Sequence, residues 1–301
     1  MGGNHHYKST VSGKNLLLSI FLNLIISLAQ LIGGLISGSL ALISDAIHNF
    51  SDVISLIVSY IANILAKKKS QSNRKTFGYK RAEIIAAFFN GLTLIVIAIF
   101  LAIEAIKRFF NPIEIDSNLV IGLAILGILV NGFSVLLLKK DAEHNLNMKS
   151  AYIHLLADML TSMAVLLGGL LMKYYKIYWI DSLLTLIISI YLIKMSWKIL
   201  IDSLQILMLF APKNIVVKNV VDELLKIETI KSVNHVHLWQ LNEQDSYFEA
   251  HIEFNKDIKL SDFDIICKQI NLVLNNKFNI NHSNLQPKFI KQDIKELNIK
   301  D

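Results

Sequence analysis

The sequence predicts a polytopic α-helical membrane protein with six transmembrane helices, followed by a small α+β domain in the order αββαβ. Of the 301 residues, 53% are hydrophobic and only three are prolines, with a mean hydropathy of +0.47. Ordinary soluble domains sit near ~45–50% apolar even when glycine is counted. The apolar residues are concentrated before residue 211 in long runs, while the remainder mixes polar and apolar residues. Three regions are expected: a flexible N-terminus over 1–14, a membrane domain over 15–211, and a cytoplasmic α+β domain over 212–301, with the boundary near Ala211-Pro212.

Crossing a ~30 Å hydrocarbon core takes roughly 20 mostly apolar residues in a helix. Six segments qualify: Asn15–Ile36, Leu40–Leu65, Ala82–Ile106, Leu119–Leu138, Ala151–Tyr174 and Trp179–Ile201. An even number of crossings puts both termini on one side. Lys67, Lys68, Lys69, Arg74, Lys75, Lys80 and Arg81 follow the second segment, and Lys139, Lys140 and Lys149 follow the fourth. The opposite side carries a tight Ser37-Gly38-Ser39 turn and a smaller basic load of Lys107, Arg108, Lys173 and Lys176. By the positive-inside rule the richer loops, and both termini with them, are cytoplasmic.

Past Pro212 the periodicity changes. Ile215–Ile227 and Ser261–Phe278 have helical spacing, Val233–Leu241 and Tyr247–Phe254 alternate like strands around an Asn242–Ser246 turn, and Asn284–Ile290 reads as a last strand.

The net charge of +6 comes from lysines and arginines gathered beside apolar segments, which membrane orientation explains without nucleic acid. A single cysteine, Cys267, excludes an intrachain disulfide and a cysteine-cluster metal site. The polar start from Met1 to Gly13 does not read as a cleavable signal peptide.

The chemistry lies in two repeats of one spacing. His48 and Asp52 are four apart in the second segment, and His154 and Asp158 are four apart in the fifth, so each pair occupies one helical face. Ionisable groups at membrane depth are costly and face the bundle interior. Two imidazole nitrogens and two carboxylate oxygens suit a tetrahedral zinc ion, with cobalt or cadmium behind it; thiolate sites favour softer ions and oxygen-only sites harder ones. Asp45 and Asn49 flank the first pair and are candidates for the ion pathway, against the plainer reading of helix-to-helix hydrogen bonding, which also covers Asn23, Gln30, Asn90 and Asn131. The glycines at 33, 34, 168 and 169 read as close-packing positions.

Several runs together resemble the cation diffusion facilitator family of zinc and divalent-cation exporters: Ser37-Gly38-Ser39-Leu40-Ala41-Leu42, Phe77-Gly78-Tyr79-Lys80-Arg81-Ala82-Glu83, and His154-Leu155-Leu156-Ala157-Asp158 with Ser162 after it. The resemblance covers nearly the whole chain. It implies a homodimer in a bacterial cytoplasmic membrane, zinc taken from the cytoplasm and released on the far side in exchange for protons, and a metallochaperone-like C-terminal domain. It also implies zinc preference from the histidine at position 48.

Two departures from the family accompany it. Lys67–Arg81 contains no histidine and no acid, so a secondary metal site of that loop is expected to be absent. Relatives hold regulatory zinc with histidines of the first two soluble-domain strands. Here His251 matches one of these, while Asn234 occupies the other position and His235 is displaced by one, which in a regular strand reverses the face. His237 and His282 are further candidates there, and His5 and His6 form a weaker terminal pair. The competing functions are a membrane-embedded zinc enzyme, for which no His-Glu-x-x-His occurs, and a membrane metal sensor, which leaves the intramembrane pairs unexplained.

Overall fold

A computed structural model describes residues 12–67, 76–142 and 146–289. His5, His6, most of the 1–14 terminus and Lys68, Lys69, Arg74 and Lys75 lie outside the described residues. The chain divides into two compact units: residues 1–61 with 86–200, and residues 62–85 with 201–301.

The apolar runs form six long helices, α1 (Ser12–Ser37), α2 (Leu40–Lys67), α3 (Ala82–Phe110), α4 (Ser117–Ala142), α5 (Leu146–Tyr175) and α6 (Trp179–Leu207). Among the described residues, five stretches are long and apolar enough to cross a membrane, one in each of these helices except α2. α2 carries Asp45, His48, Asn49 and Asp52 on its inward side.

Glycines let the helices of the first unit approach closely. A Cβ at Gly33 of α1 would meet Leu123 Cδ1 of α4 at 1.9 Å, and one at Gly169 of α5 would meet Ile121 Cγ1 at 2.9 Å. Such approaches supply packing where lipid removes any hydrophobic drive between helices. Gly38, at φ +79°, makes the turn between α1 and α2 in a conformation that side chains disfavour.

The start of α2 is held from a distance. Its first amide groups have no intrahelical acceptor, and the Asp181 carboxylate at the start of α6 accepts from Leu40 N (2.8 Å), Ala41 N (3.4 Å) and Ser39 Oγ (2.5 Å). Arg108 of α3 donates to the Gly38 carbonyl at 2.7 Å. Farther along, the Asn90 amide of α3 donates to Ser51 Oγ at 2.9 Å.

In the second unit, α7 (Val217–Leu224), β1 (Ile230–Gln240), β2 (Ser246–Phe254), α8 (Leu260–Phe278) and β3 (His282–Lys288) follow the expected αββαβ order. The sheet order is β1-β2-β3, antiparallel between β1 and β2 and parallel between β2 and β3. Phe248, Ala250 and Ile252 point from one face of β2 onto Ile270 and Leu274 of α8 and Leu224 of α7, all fully buried. The opposite face carries Glu249, His251 and Glu253. Helix α7 is shorter than the expected Ile215–Ile227, because Ile215 and Ile227 pack on the core from outside the helix.

The segment before α3 belongs to this unit. Lys80 Nζ lies 2.7 Å from Asp245 Oδ2 at the β1–β2 turn, and Phe77 packs edge-on against Tyr247. Burial opposes ionisation of Asp245, but the Lys80 bond and charge, with amide donors from Asn281 and Asn242, outweigh it and hold the carboxyl below its ordinary range. A depressed carboxyl contributes stability above its unfolded value of about 3.9 and loses it as pH falls through the folded value.

Replacing Asp181 by Ala removes the cap of α2 and leaves its first amides unpaired. The expected cost is about 1–2 kcal/mol, seen as a lower heat-denaturation midpoint in detergent; an unchanged midpoint would show that the cap contributes nothing to stability.

Candidate metal centre

Helical spacing puts His48 one turn before Asp52 on α2, and His154 one turn before Asp158 on α5. The packing of the bundle turns these two faces toward each other. His154 Nε2 lies 2.9 Å from Asp52 Oδ2 and 3.6 Å from Asp158 Oδ2, while His48 Nδ1 lies 3.6 Å from Asp52 Oδ2 and His48 Nε2 lies 3.8 Å from Asp158 Oδ1. One ligand atom each from His48, Asp52 and His154 falls within 4.8 Å of the others. The two imidazoles meet edge-on with centroids 5.7 Å apart. His48 and Asp158 are buried, and Asp52 and His154 are half-buried.

Each carboxylate faces both imidazoles, an arrangement that a cation between them can hold together. The donor set of two nitrogens and two carboxylates is one that zinc accepts. The cluster has space on two sides. A cavity of about 400 Å³ is lined by Asp45, His48, Asp158, Thr161 and Tyr191. A smaller one of about 60 Å³ is lined by Ser19, Asn23, Asp52 and His154. Neither Tyr191, whose ring stands edge-on 6.0 Å from that of His48, nor Asp181 stood out in the sequence. An acid at the start of a span was the one available signal for Asp181.

The expected pathway residues are fully buried. Asp45 Oδ2 accepts from Gln30 Nε2 at 3.2 Å, and Asn49 makes no hydrogen bond with either amide atom.

In the second unit three of the four candidate histidines come together. The one-residue displacement of His235 was expected to turn it away from His251; β1 instead contains a bulge. Asn234 pairs with His251 and His237 with Glu249, so three steps on β1 match two on β2, and His235 sits at φ +48°. An extra residue in one strand re-aims its side chain. The His235 ring consequently stacks on His251 at 4.6 Å, and its Nε2 lies 3.2 Å from His237 Nε2. His282 lies apart from them, against Tyr247 at 4.5 Å.

A helical membrane domain with a buried His/Asp cluster, joined to a small α+β domain, defines a class of membrane cation carriers, and comparison with known proteins gives the family. Residues 16–208 match the cation efflux transmembrane domain, and residues 212–287 match the cation efflux protein cytoplasmic domain. The chain belongs to the cation efflux family, whose members are transporters and not enzymes. A cadmium, cobalt and zinc/H(+)-K(+) antiporter of Bacillus velezensis is 35% identical over 95% of this chain and 91% of its own length. Zinc transporter ZitB of Pectobacterium atrosepticum is 32% identical over 97% and 91%. The metal cation efflux system protein CzcD of Cupriavidus metallidurans is 30% identical over 95% and 90%. The protein is an integral membrane protein with a small cytoplasmic domain.

Replacing His154 by Ala takes away the nitrogen that meets both carboxylates. Titration of the detergent-purified protein with zinc is expected to show at least about a tenfold loss of affinity at this site, and an unchanged isotherm would remove His154 from it.

Proposed function

We propose that this protein exports zinc from the cytoplasm in exchange for protons, through a four-ligand site of His48, Asp52, His154 and Asp158 reached alternately from the two sides of the membrane. Convergence of two His-x-x-x-Asp faces from α2 and α5 is the observation that carries this proposal, with His154 Nε2 2.9 Å from Asp52 Oδ2. In it α2 joins the other five helices as a membrane span, making six, both termini are cytoplasmic, and the domains divide at residues 1–14, 15–211 and 212–301 of a bacterial cytoplasmic-membrane protein. The name of the Pectobacterium relative supports zinc as cargo, with cobalt and cadmium, named for the Bacillus one, as further cargo. The match of residues 212–287 to the cytoplasmic dimerisation domain of cation efflux proteins supports a homodimer.

Metal takes the deprotonated forms of these ligands, so zinc and protons compete for the same atoms. A high-pH side loads metal, and a low-pH side discharges it. Two conformations with different access to the site are enough to turn that competition into exchange. Two protons per zinc are electroneutral; one proton per zinc moves a net charge outward, at about 2.3 kcal/mol per 100 mV when the inside is negative.

Vesicles holding purified protein and an internal zinc dye test this. An imposed pH gradient is expected to drive zinc flux that Asp52→Ala and His154→Ala reduce to the protein-free level. Gradient-independent flux in the unaltered protein, or full flux in both variants, would refute the mechanism.

A regulatory zinc site in the soluble domain has its own supporting observation, the bulge that brings His235 to His237 and His251. Two imidazole Nε2 atoms 3.2 Å apart are close enough to share one ion. His282 is not part of this set. Zinc titration of protein carrying Asp52→Ala isolates the soluble-domain site: one further equivalent is expected to bind, and His235→Ala is expected to abolish it.

A further inference from the structure

One acid inside the first unit has no role in the four-ligand cluster. Asp45 of α2 is 1% exposed, and no lysine, arginine or histidine pairs with it among the described residues. The carboxyl accepts from the Gln30 amide at 3.2 Å and is also in hydrogen-bond contact with the Ser162 hydroxyl, with no cation beside it among the described residues. Burying a carboxylate at membrane depth without a cation is costly.

The surroundings of Asp45 are rich in oxygen. Gln30 Oε1, Asn49 Oδ1 and Asn131 Oδ1 are buried and without hydrogen-bond partners, and these residues, like Ser162, are at most 1% exposed. Buried polar groups are nearly always partnered, and a group of unpartnered ones points to a water or ion that completes them. The hydrogen bond from Gln30 Nε2 keeps the other end of that amide beside the carboxylate. A Cβ at Gly127 of α4 would lie 2.9 Å from both Gln30 Nε2 and Ser162 Oγ, so the absence of a side chain there lets α1 and α5 bring these groups together. Asn49 and Asn131 lie one turn beyond Asp45 and Gly127 on the same faces of α2 and α4.

We propose that Asp45, Gln30 and Ser162, with Asn49 and Asn131 beside them, form a second cation site that takes a hard monovalent ion, sodium or potassium. Oxygen-only donors select hard cations over zinc, and rings of uncharged oxygens replace the hydration shell of such ions in other membrane proteins. The single carboxylate among these oxygens matches the charge of a monovalent ion. Asp45 shares the 400 Å³ cavity with His48 and Asp158, so an ion held there repels zinc in the four-ligand site. Occupancy of one site disfavours the other, which is the coupling that exchange requires. This competition rests on the zinc reading above, whereas the site itself does not.

Binding of radioactive sodium or rubidium to the purified full-length protein, in zinc-free choline chloride with a chelator, tests the site independently of zinc. Saturable binding is expected, and whichever of sodium or potassium chloride displaces the label at lower concentration identifies the ion. Asp45→Asn and Gln30→Leu are each expected to weaken binding at least tenfold, with elution volume and heat-denaturation midpoint confirming that the variants fold. Absence of saturable binding in the unaltered protein, or binding undiminished in a folded Asp45→Asn variant, overturns the proposal. Zinc affinity is expected to be on the order of tenfold weaker in the preferred salt than in choline, a difference that disappears in Asp45→Asn. Equal zinc affinities in the two media overturn the competition.

Discussion

Ionisable groups removed from water have to be compensated by one another, and that requirement organises the membrane unit. His48 and Asp52 on α2 face His154 and Asp158 on α5 because neither pair is tolerable against lipid, and each carboxylate then lies within 4 Å of both imidazoles. The cavities on either side open onto this cluster, and glycines of α1 and α5 that admit Leu123 and Ile121 close the packing elsewhere in the unit. Hydrophobic burial does little to join helices in a bilayer, so polar contacts and close packing carry that role. In the soluble unit the balance is the ordinary one, with Phe248, Ile252, Ile270 and Leu274 closing a core between one sheet face and two helices.

What the sequence made legible is what depends on local spacing. A four-residue interval on a helix assigns a face wherever the helix goes, so the His/Asp pairs, the αββαβ order and the close-packing glycines could be read without coordinates. Features made by distant pairing were hidden. Asp181 caps a helix that begins 141 residues earlier in the chain, and no local pattern announces that partnership.

The bulge at His235 is the clearest case of a sound rule defeated by an irregularity. Period-two alternation sends a displaced residue to the other face only while the strand stays regular, and β1 takes up one extra residue at that point. The left-handed backbone of His235 is the local sign of it, and nothing in the composition of Asn234-His235-Val236-His237 demands that conformation. The departure that argued against a histidine cluster in the soluble domain thereby becomes the means of assembling one.

The clamp of Asp181 and Arg108 on the beginning of α2 also fixes where that helix can pivot. With one end tethered, its 28 residues act as a lever about 42 Å long at 1.5 Å per residue. His48 sits near the fulcrum, about 12 Å along, so a tilt of about 5° displaces it by only about 1 Å while the far end sweeps more than three times as far. Metal–ligand distances tolerate about 0.2 Å. A tilt of a few degrees about the tethered turn therefore moves His48 by more than a metal–ligand distance tolerates, while the turn itself stays in place.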